Sequence, residues 1–390
     1  MEFVKIAPDY PFPALNSKKI RFVTPIDFDR HAQFFSHSYL VMKVEFSRPP
    51  LLNTQSIAND LNSPFFLFKE IQFCVDGRPI ETIRDVGLLH TLYHMLLLGK
   101  RRGRLSHLYN VNAEDLNSSS TTSGCVDSVT NNDGKASFLL PIKFVLQCCY
   151  YNEVVVQNAR FSFTIHLTDE TRNFVNGYSA RGDTDCKFEV KEANLYVPCT
   201  PKKIRLSKML TNINFYEIVK HEFQIASSAA ETTHEFQIGT FPTRPHFIFV
   251  LFLKKRTNTL PTYINLPDRV HVKKCDLIRN GRVEQSRRDI GREKRVTLDE
   301  FLQLRAAECD LKQTLMKSAC TWSSFDSIQQ TMLATSFLYF NNQLRGNWNE
   351  SDSAQLDQKT NLKLNLELEK QPDKDLTCYT YVFFQKQINL

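Results

Sequence analysis

Short bursts of alternating apolar and polar residues recur along the chain, with few long helical periods between them. Ser38-Tyr-Leu-Val-Met-Lys-Val-Glu-Phe46 places bulky side chains two apart, the spacing at which a pleated strand returns to one face. Phe65–Val75 continues in the same way and stops at Asp76-Gly77. Both residues tolerate positive φ, so a hairpin is predicted there, returning through Arg78–Thr82. Ala136–Val145, Val154–Val156, Arg160–Leu167 and Phe188–Val197 complete a first series of strands. Phe215–Ile225 and His234–Ile238 open a second. Pro245–Leu253 is apolar almost throughout, which predicts a central strand covered on both faces. His271–Asn280 ends in Asn280-Gly281, another hairpin signal. Asn361–Glu369 alternates leucine with polar residues, and Tyr379–Gln385 closes the series.

Two stretches keep a helical period instead. Asp85–Leu98 sets Leu88, Leu89, Leu92, Met95 and Leu96 on one face and ends at Gly99, a good C-cap residue. Leu298–Lys317 follows Thr297 and Glu300, which form a capping box. Each lies between strand groups, so both are expected as helical decorations in loops. Asn110–Lys135 and Asn341–Lys359 are polar and poor in large apolar residues, and are expected as surface loops. Pro198 and Pro201 are expected to end strand pairing, which puts a junction at Pro198–Asn212. The 390 residues also exceed what one core usually holds, about 250–300. The expected organisation is an arm over residues 1–19, a β domain over 20–200, a linker over 201–212 and a second β domain over 213–390. Pro8, Pro11 and Pro13 suit the arm to an extended tether.

Composition sharpens this picture in three places. Phe occurs 30 times against 12 Gly, which favours half-buried pleated surfaces. The net charge of +7 is too even-handed for a chain that binds nucleic acid over its whole surface, although a local basic face is compatible with it. The ten cysteines, Cys74, Cys125, Cys148, Cys149, Cys186, Cys199, Cys275, Cys309, Cys320 and Cys378, form no C-x-x-C pair and mostly sit in apolar runs, so they are expected as buried reduced thiols. No apolar stretch approaches a membrane span and the N-terminus is charged, so the chain is expected to be soluble and made in the cytosol.

Catalytic chemistry is weakly indicated. There is no phosphate-binding loop, nucleophile elbow or dinucleotide fingerprint. His90 and His94 have metal-pair spacing on the first helix, but Thr91 follows His90 and no third ligand is near, so they read as packing or surface histidines. Asp76, Asp268 and Asp276 sit beside turns or strands without a visible His or Cys partner. No enzyme activity, metal, cofactor or small-molecule substrate is expected. Two basic clusters, Lys100, Arg101, Arg102 and Arg104, then Arg287, Arg288, Arg292, Lys294 and Arg295, flank the two helices. They read first as solvated loops; lying on one end of both domains, they would form an inner face for nucleic acid or acidic lipid. Arg181, Gly182 and Asp183 form a tripeptide that some receptors recognise, but in a turn between strands its first reading is a chance occurrence. Asn117 and Asn349 match glycosylation acceptors that carry little weight in a cytosolic chain.

The ordered segments resemble one known family, the double jelly-roll major capsid proteins of DNA viruses, in the flavour of Polinton-type elements, adintoviruses and virophages. The resemblance runs over nearly the whole chain. Ser38–Phe46, Asn59–Ile80, Leu88–Leu98, Leu140-Pro141-Ile142 and Leu195–Pro201 match the first half of the pattern. Pro245–Phe252, Val270–Gly281, Leu362–Glu369 and Tyr379–Gln385 match the second. Thr168–Val175 replaces an Asp-rich region, and Cys148 and Cys149 alter an aromatic-rich strand. The resemblance implies an all-β fold of two consecutive jelly-roll β-sandwiches with short helices in loop insertions. It also implies a structural subunit that trimerises into pseudo-hexameric capsomers and tiles an icosahedral shell. Its partners would be neighbouring capsomers, penton and minor capsid proteins, and the genome or an inner membrane. Its place would be the virion, after assembly in the host cytoplasm or nucleus. A β-sandwich carbohydrate- or receptor-binding module is the alternative, with Trp322, Trp348 and Tyr339 as its exposed aromatic residues. A cupin-type enzyme would need a His/Glu cluster that the sequence does not offer.

Overall fold

The computed structural model describes residues 2–9, 18–28, 31–47, 57–59, 65, 67–89, 135–168, 175–177, 187–201, 212–228, 231–254, 270–290, 337–341 and 359–389. Strands dominate them. In the first half these are β1 (Glu2–Ile6), β2 (Lys19–Val23), β3 (Ala32–Phe34), β4 (Tyr39–Ser47), β5 (Ile57–Asn59), β6 (Phe68–Val75), β7 (Arg78–Arg84), β8 (Lys135–Pro141), β9 (Val155–Val156), β10 (Phe161–Leu167), β11 (Val175–Gly177) and β12 (Lys187–Thr200). The second half supplies β13 (Asn212–Ile225), β14 (Thr233–Phe241), β15 (Phe247–Lys254), β16 (Val272–Arg279), β17 (Arg282–Ile290), β18 (Phe337–Asn341), β19 (Thr360–Leu368) and β20 (Leu376–Asn389).

The wiring is the same in both halves. In the second, one sheet runs β13-β20-β15-β18 and the other β14-β19-β16-β17. In the first, β1-β12-β4-β8 faces β2-β10-β6-β7, with β3 and β9 extending the former sheet and β5 pairing β11 apart from both. Counting only the eight main strands of each half, the first sheet is always first-eighth-third-sixth and the second always second-seventh-fourth-fifth. That order, with every pair antiparallel, is a jelly roll, and it occurs twice. Among the described residues no strand from 2–200 pairs with a strand from 212–389.

Local sequence explains the register. Asp76 and Gly77 have φ of 47° and 77°, and Asn280 and Gly281 have 50° and 79°, the paired positive values of a tight hairpin that matches strand twist. On β19, Leu362, Leu364 and Leu366 are fully buried while Lys363 and Asn365 look outward. On β15 the continuous apolar run is divided between two cores. Ile248, Val250 and Phe252 fill the second sandwich, whereas Phe247, Phe249 and Leu251 join the apolar cluster of the first.

Some expectations are revised. Pro198 does not end pairing; it lies inside β12, opposite Phe3 of β1. On its other side β12 pairs β4 up to Tyr196 and β3 only from Cys199 onward. Pro198 therefore falls in the gap where no neighbour asks for its missing N–H. Residues 1–19 are not wholly an arm, because Glu2–Ile6 supply the first strand of the first sandwich with Ile6 in its core. The strand expected over Ala136–Val145 stops at Pro141, and the chain turns through Ile142–Phe144 into a short helix, α1 (Gln147–Tyr151). Of the helix expected over Asp85–Leu98, Val86–Leu89 are helical and the rest lies outside the described residues, as does Leu298–Lys317. Cys74, Cys148, Cys149, Cys199, Cys275 and Cys378 are free and buried; the other four cysteines fall outside the described residues.

The alternation on β19 gives a stability contrast. Leu364→Ala should cost about 2–5 kcal/mol, because it opens a cavity where Leu364 is fully buried. Lys363→Ala, one residue away and facing outward beside Glu235, should cost less than about 1 kcal/mol. Denaturant unfolding of both variants checks the pair.

Candidate functional site at the joint between the sandwiches

The outer face of the β13-β20-β15 sheet is built around aromatic rings, with Lys220 and Glu222 beside them. Phe247 stacks on Phe383 at 4.3 Å, Tyr216 meets Phe247 edge-on at 4.9 Å, and Phe249 meets Phe383 edge-on at 5.5 Å. These rings belong to one cluster with Ile80, Ile83, Val86, Leu88 and Leu89 of the first sandwich. A sheet with both faces apolar has to be covered twice, and the first sandwich supplies the second cover.

Polar groups fix how the two halves meet. A bulge in the β6–β7 pairing lets the consecutive residues Ile80 and Glu81 both turn inward. α1 has Leu146 at its N-cap, with no side-chain cap of its own. Glu81 supplies one from 66 residues away. Its Oε1 accepts from the Gln147 amide at 3.0 Å and its Oε2 from the Cys148 amide at 2.8 Å. These are two of the N–H groups that a helix start leaves without partners. At the other end of α1, Asn152 reaches the second sandwich. Its Nδ2 donates to the Asn214 carbonyl at 2.8 Å and its Oδ1 accepts from the Asn214 amide at 3.2 Å. Glu81, α1 and Asn152 thus connect β7 of one sandwich to β13 of the other.

Burial sets the electrostatics. It pushes the Glu81 carboxyl up to about 7, against the opposing pull of the two amides and of Lys386. Burial also drives the Cys148 thiol well above the ordinary range, so it is no ready nucleophile. A cleft of about 870 Å³ runs along the joint between Lys69–Asp85 and Phe215–Glu222. Most of its charges are paired: Lys220 with Asp85 and Glu222, Lys386 with Glu217 at 3.0 Å, and Arg84 with Glu70 at 3.0 Å. Lys220 also lies 4.6 Å over the Tyr379 ring. Among the described residues no group of three His, Cys, Asp or Glu side chains could hold a metal ion. This arrangement is built to hold two bodies together.

The residues singled out from the sequence lie elsewhere. Lys100, Arg101, Arg102, Arg104, Arg292, Lys294 and Arg295 fall outside the described residues, as do Arg181, Gly182, Asp183, His90 and His94. Arg287 and Arg288 are adjacent on β17, so they point to opposite faces. Arg287 is half-buried, 5.8 Å over the Phe340 ring, and Arg288 is exposed. Glu81 and Asn152 were invisible to sequence reading. The one hint is a carboxylate set between Ile80 and Ile83 in a strand, and its partners are distant in the chain.

No family model matches the sequence, and no curated protein matches it either. Solved structures do. A chain of the Sputnik virophage particle aligns with a TM-score of 0.62 at 10% identity, covering 99% of this chain and 86% of that one. The mavirus major capsid protein aligns at 0.56 and 9% identity, covering 99% and 90%. The Faustovirus major capsid protein aligns at 0.52 and 9% identity, covering 100% and 90%. The fold is therefore the double jelly roll, both sandwiches included.

Two outcomes test the joint. Glu81 binds its proton more tightly folded than unfolded, with a value near 7 against an ordinary 4.5. Its contribution to stability is thus fully present below pH 4.5 and lost as pH rises to about 7. Buried His246, held down at about 4, works in the opposite direction over much of the same range, so the difference between proteins is the useful quantity. The stability of Glu81→Gln relative to wild type should rise between pH 4.5 and 7 by on the order of 3 kcal/mol, measured by denaturant unfolding at each pH. Asn152→Ala should speed hydrogen exchange at the Asn214 amide by roughly five- to thirty-fold, as expected for losing a bond of about 1–2 kcal/mol.

Proposed function

We propose that this chain is the structural subunit of a viral or virus-like capsid and has no enzymatic role. The carrying observation is that its likeness to solved viral capsid chains covers 99–100% of this chain, both sandwiches included, and 86–90% of theirs. A fused pair of equivalent bodies suits such a role. Each chain brings two bodies of one wiring, so three chains give an approximately six-sided unit that tiles a curved shell. In this reading the sandwiches of residues 2–200 and 212–389 are the two tiles, the segment between them the linker, and the virion the destination. Neighbouring capsomers are the main partners. Penton and minor proteins would fill the remaining positions, and the loops of one end, with Lys100–Arg104 and Arg292–Arg295, would face the genome or an inner membrane.

A β-sandwich that binds carbohydrate or a receptor uses the same scaffold, and the Arg181-Gly182-Asp183 tripeptide would serve it. The charges along the cleft are largely taken up by partners within the chain, which favours the structural reading.

The purified chain should form trimers by size-exclusion chromatography with light scattering, and capsomers or shells by negative-stain microscopy. A strict monomer in every buffer would overturn the proposal, and a monomer that binds glycans would put the second reading in its place.

A further inference from the structure

The two sheets of the second sandwich do not pair with each other, so its open side is closed by side chains alone. On that side β13 and β14 are the edge strands, and both turn rings inward. His221 and Phe223 project from β13 on the face that carries Ile225 into the core, and His234 and Phe236 from β14 on the face that carries Ile238. Phe223 stacks on Phe236 across the gap at 4.6 Å. A histidine flanks this stack on each strand: His221 is parallel to Phe223 at 6.4 Å, and His234 to Phe236 at 6.1 Å. Phe241 extends the row, edge-on to His221 at 6.0 Å and 4.9 Å from Phe384. The packing is close at the β14 bulge, where Gly239 has φ of 151° and a Cβ would lie 3.3 Å from the Phe241 ring.

Both imidazoles have a buried Nε2 that makes no hydrogen bond. The neighbouring strands set Thr380 opposite His221, Cys378 opposite Phe223 and Leu366 opposite His234. Charged neighbours are engaged elsewhere. Lys220 meets Asp85 and Glu222 at the joint, Lys363 pairs with Glu235, Lys273 pairs with Glu367, and Asp375 accepts from Ser227. Glu231, just ahead of β14, favours a charged His234 but is outweighed by burial, which holds both histidines below their ordinary 6.5. The Cys378 thiol, pushed up to about 12, stays neutral.

We propose that this ring seam is an acid-operated latch: protonating His221 and His234 parts β13 from β14 and loosens the second sandwich while the first stays closed. The latch belongs to one chain and stands whether or not copies assemble. An imidazolium carries a proton on both nitrogens, so each charged ring would hold a buried Nε2 donor without an acceptor, inside an apolar stack. Opening the seam returns both rings to water. The stability of the closed seam is therefore fully present above pH 6.5 and is lost as pH falls below it. Glu81 runs the other way, gaining its proton in the folded state, so the joint is not weakened over the same range. Histidine protonation at about pH 5–6 is a general means by which protein interfaces answer acid.

Hydrogen exchange read by mass spectrometry, as protection factors between about pH 7.5 and 5.5, tests the proposal. Linkage allows up to about tenfold per pH unit for each histidine that gains a proton on opening, so protection across β14 and the end of β13 should fall roughly tenfold over this range. Peptides of β6 and β10 should keep theirs. His246, which burial holds at about 4, lies against Tyr216 on the joint side and is reported separately by the β15 peptide. The double variant His221→Phe with His234→Phe keeps the stack but takes no proton, and its seam should hold constant protection. Each single variant, with about half the slope, serves should the double variant fail to fold. Unchanged protection in wild type, a double variant that falls as wild type does, or β6 and β10 falling in step with β14 would each overturn the latch.

Discussion

A sheet with apolar side chains on both faces cannot face water on either, and that constraint organises this molecule. β15 is its clearest expression. Ile248, Val250 and Phe252 serve the second sandwich, while Phe247, Phe249 and Leu251 need a cover from outside it. The first sandwich provides that cover, so the two halves form one apolar body although they share no sheet. Domains that meet through small polar surfaces are expected to move against each other, whereas an aromatic interface of this kind resists such motion. For a building block that must present fixed angles to its neighbours, the stiffness of the joint is part of the function proposed here.

Apolar contact alone does not fix orientation, because it has no directional preference. Orientation comes from the polar bracket. Asn152 binds the amide and carbonyl of Asn214 together, as a neighbouring strand would, and thereby sets one register between α1 and β13. Glu81 holds α1 in place at its other end. Burying a carboxylate there is unfavourable, and the raised value of Glu81 is the sign of that cost. Its tolerance follows from the two amides that would otherwise lie unsatisfied at the start of the helix.

Much of the fold was legible because strand signals are local. The Asp76-Gly77 and Asn280-Gly281 turns, the leucine alternation of β19 and the two-sided β15 each announce themselves within ten residues, and each is found in place. The course of the chain was misread where the deciding partner is remote. Pro198 looks like a break until the offset between β3 and β4 is known, since only that offset removes the need for its N–H. Glu2–Ile6 looks like an arm until β12 is seen to lack a neighbour on that side without it. The site was less legible than the fold. Basic clusters stand out in a sequence because charge is conspicuous, whereas Glu81 and Asn152 are single polar residues whose importance lies in what folding sets beside them. Strand geometry also separates Arg287 from Arg288, neighbours in sequence that cannot act on one surface.

The two halves obey one wiring with no close sequence repeat between them, so topology, not side-chain identity, is what they share. Equivalent faces have kept equivalent chemistry only in part. The β14-β19-β16-β17 and β2-β10-β6-β7 faces are both charged and the β13-β20-β15 face is aromatic, but the β1-β12-β4-β8 face is divided between the Tyr39–Tyr196 stack and the Lys43–Glu192 and Lys191–Glu45 pairs. Drift with no constraint on the outside of a sandwich would favour polar residues on every outer face, because an exposed ring gains nothing from water. The aromatic character of the covered face is explained by its cover. The β1-β12-β4-β8 face has no such cover among the described residues, and it carries charged pairs beside its ring stack, as exposure to water favours.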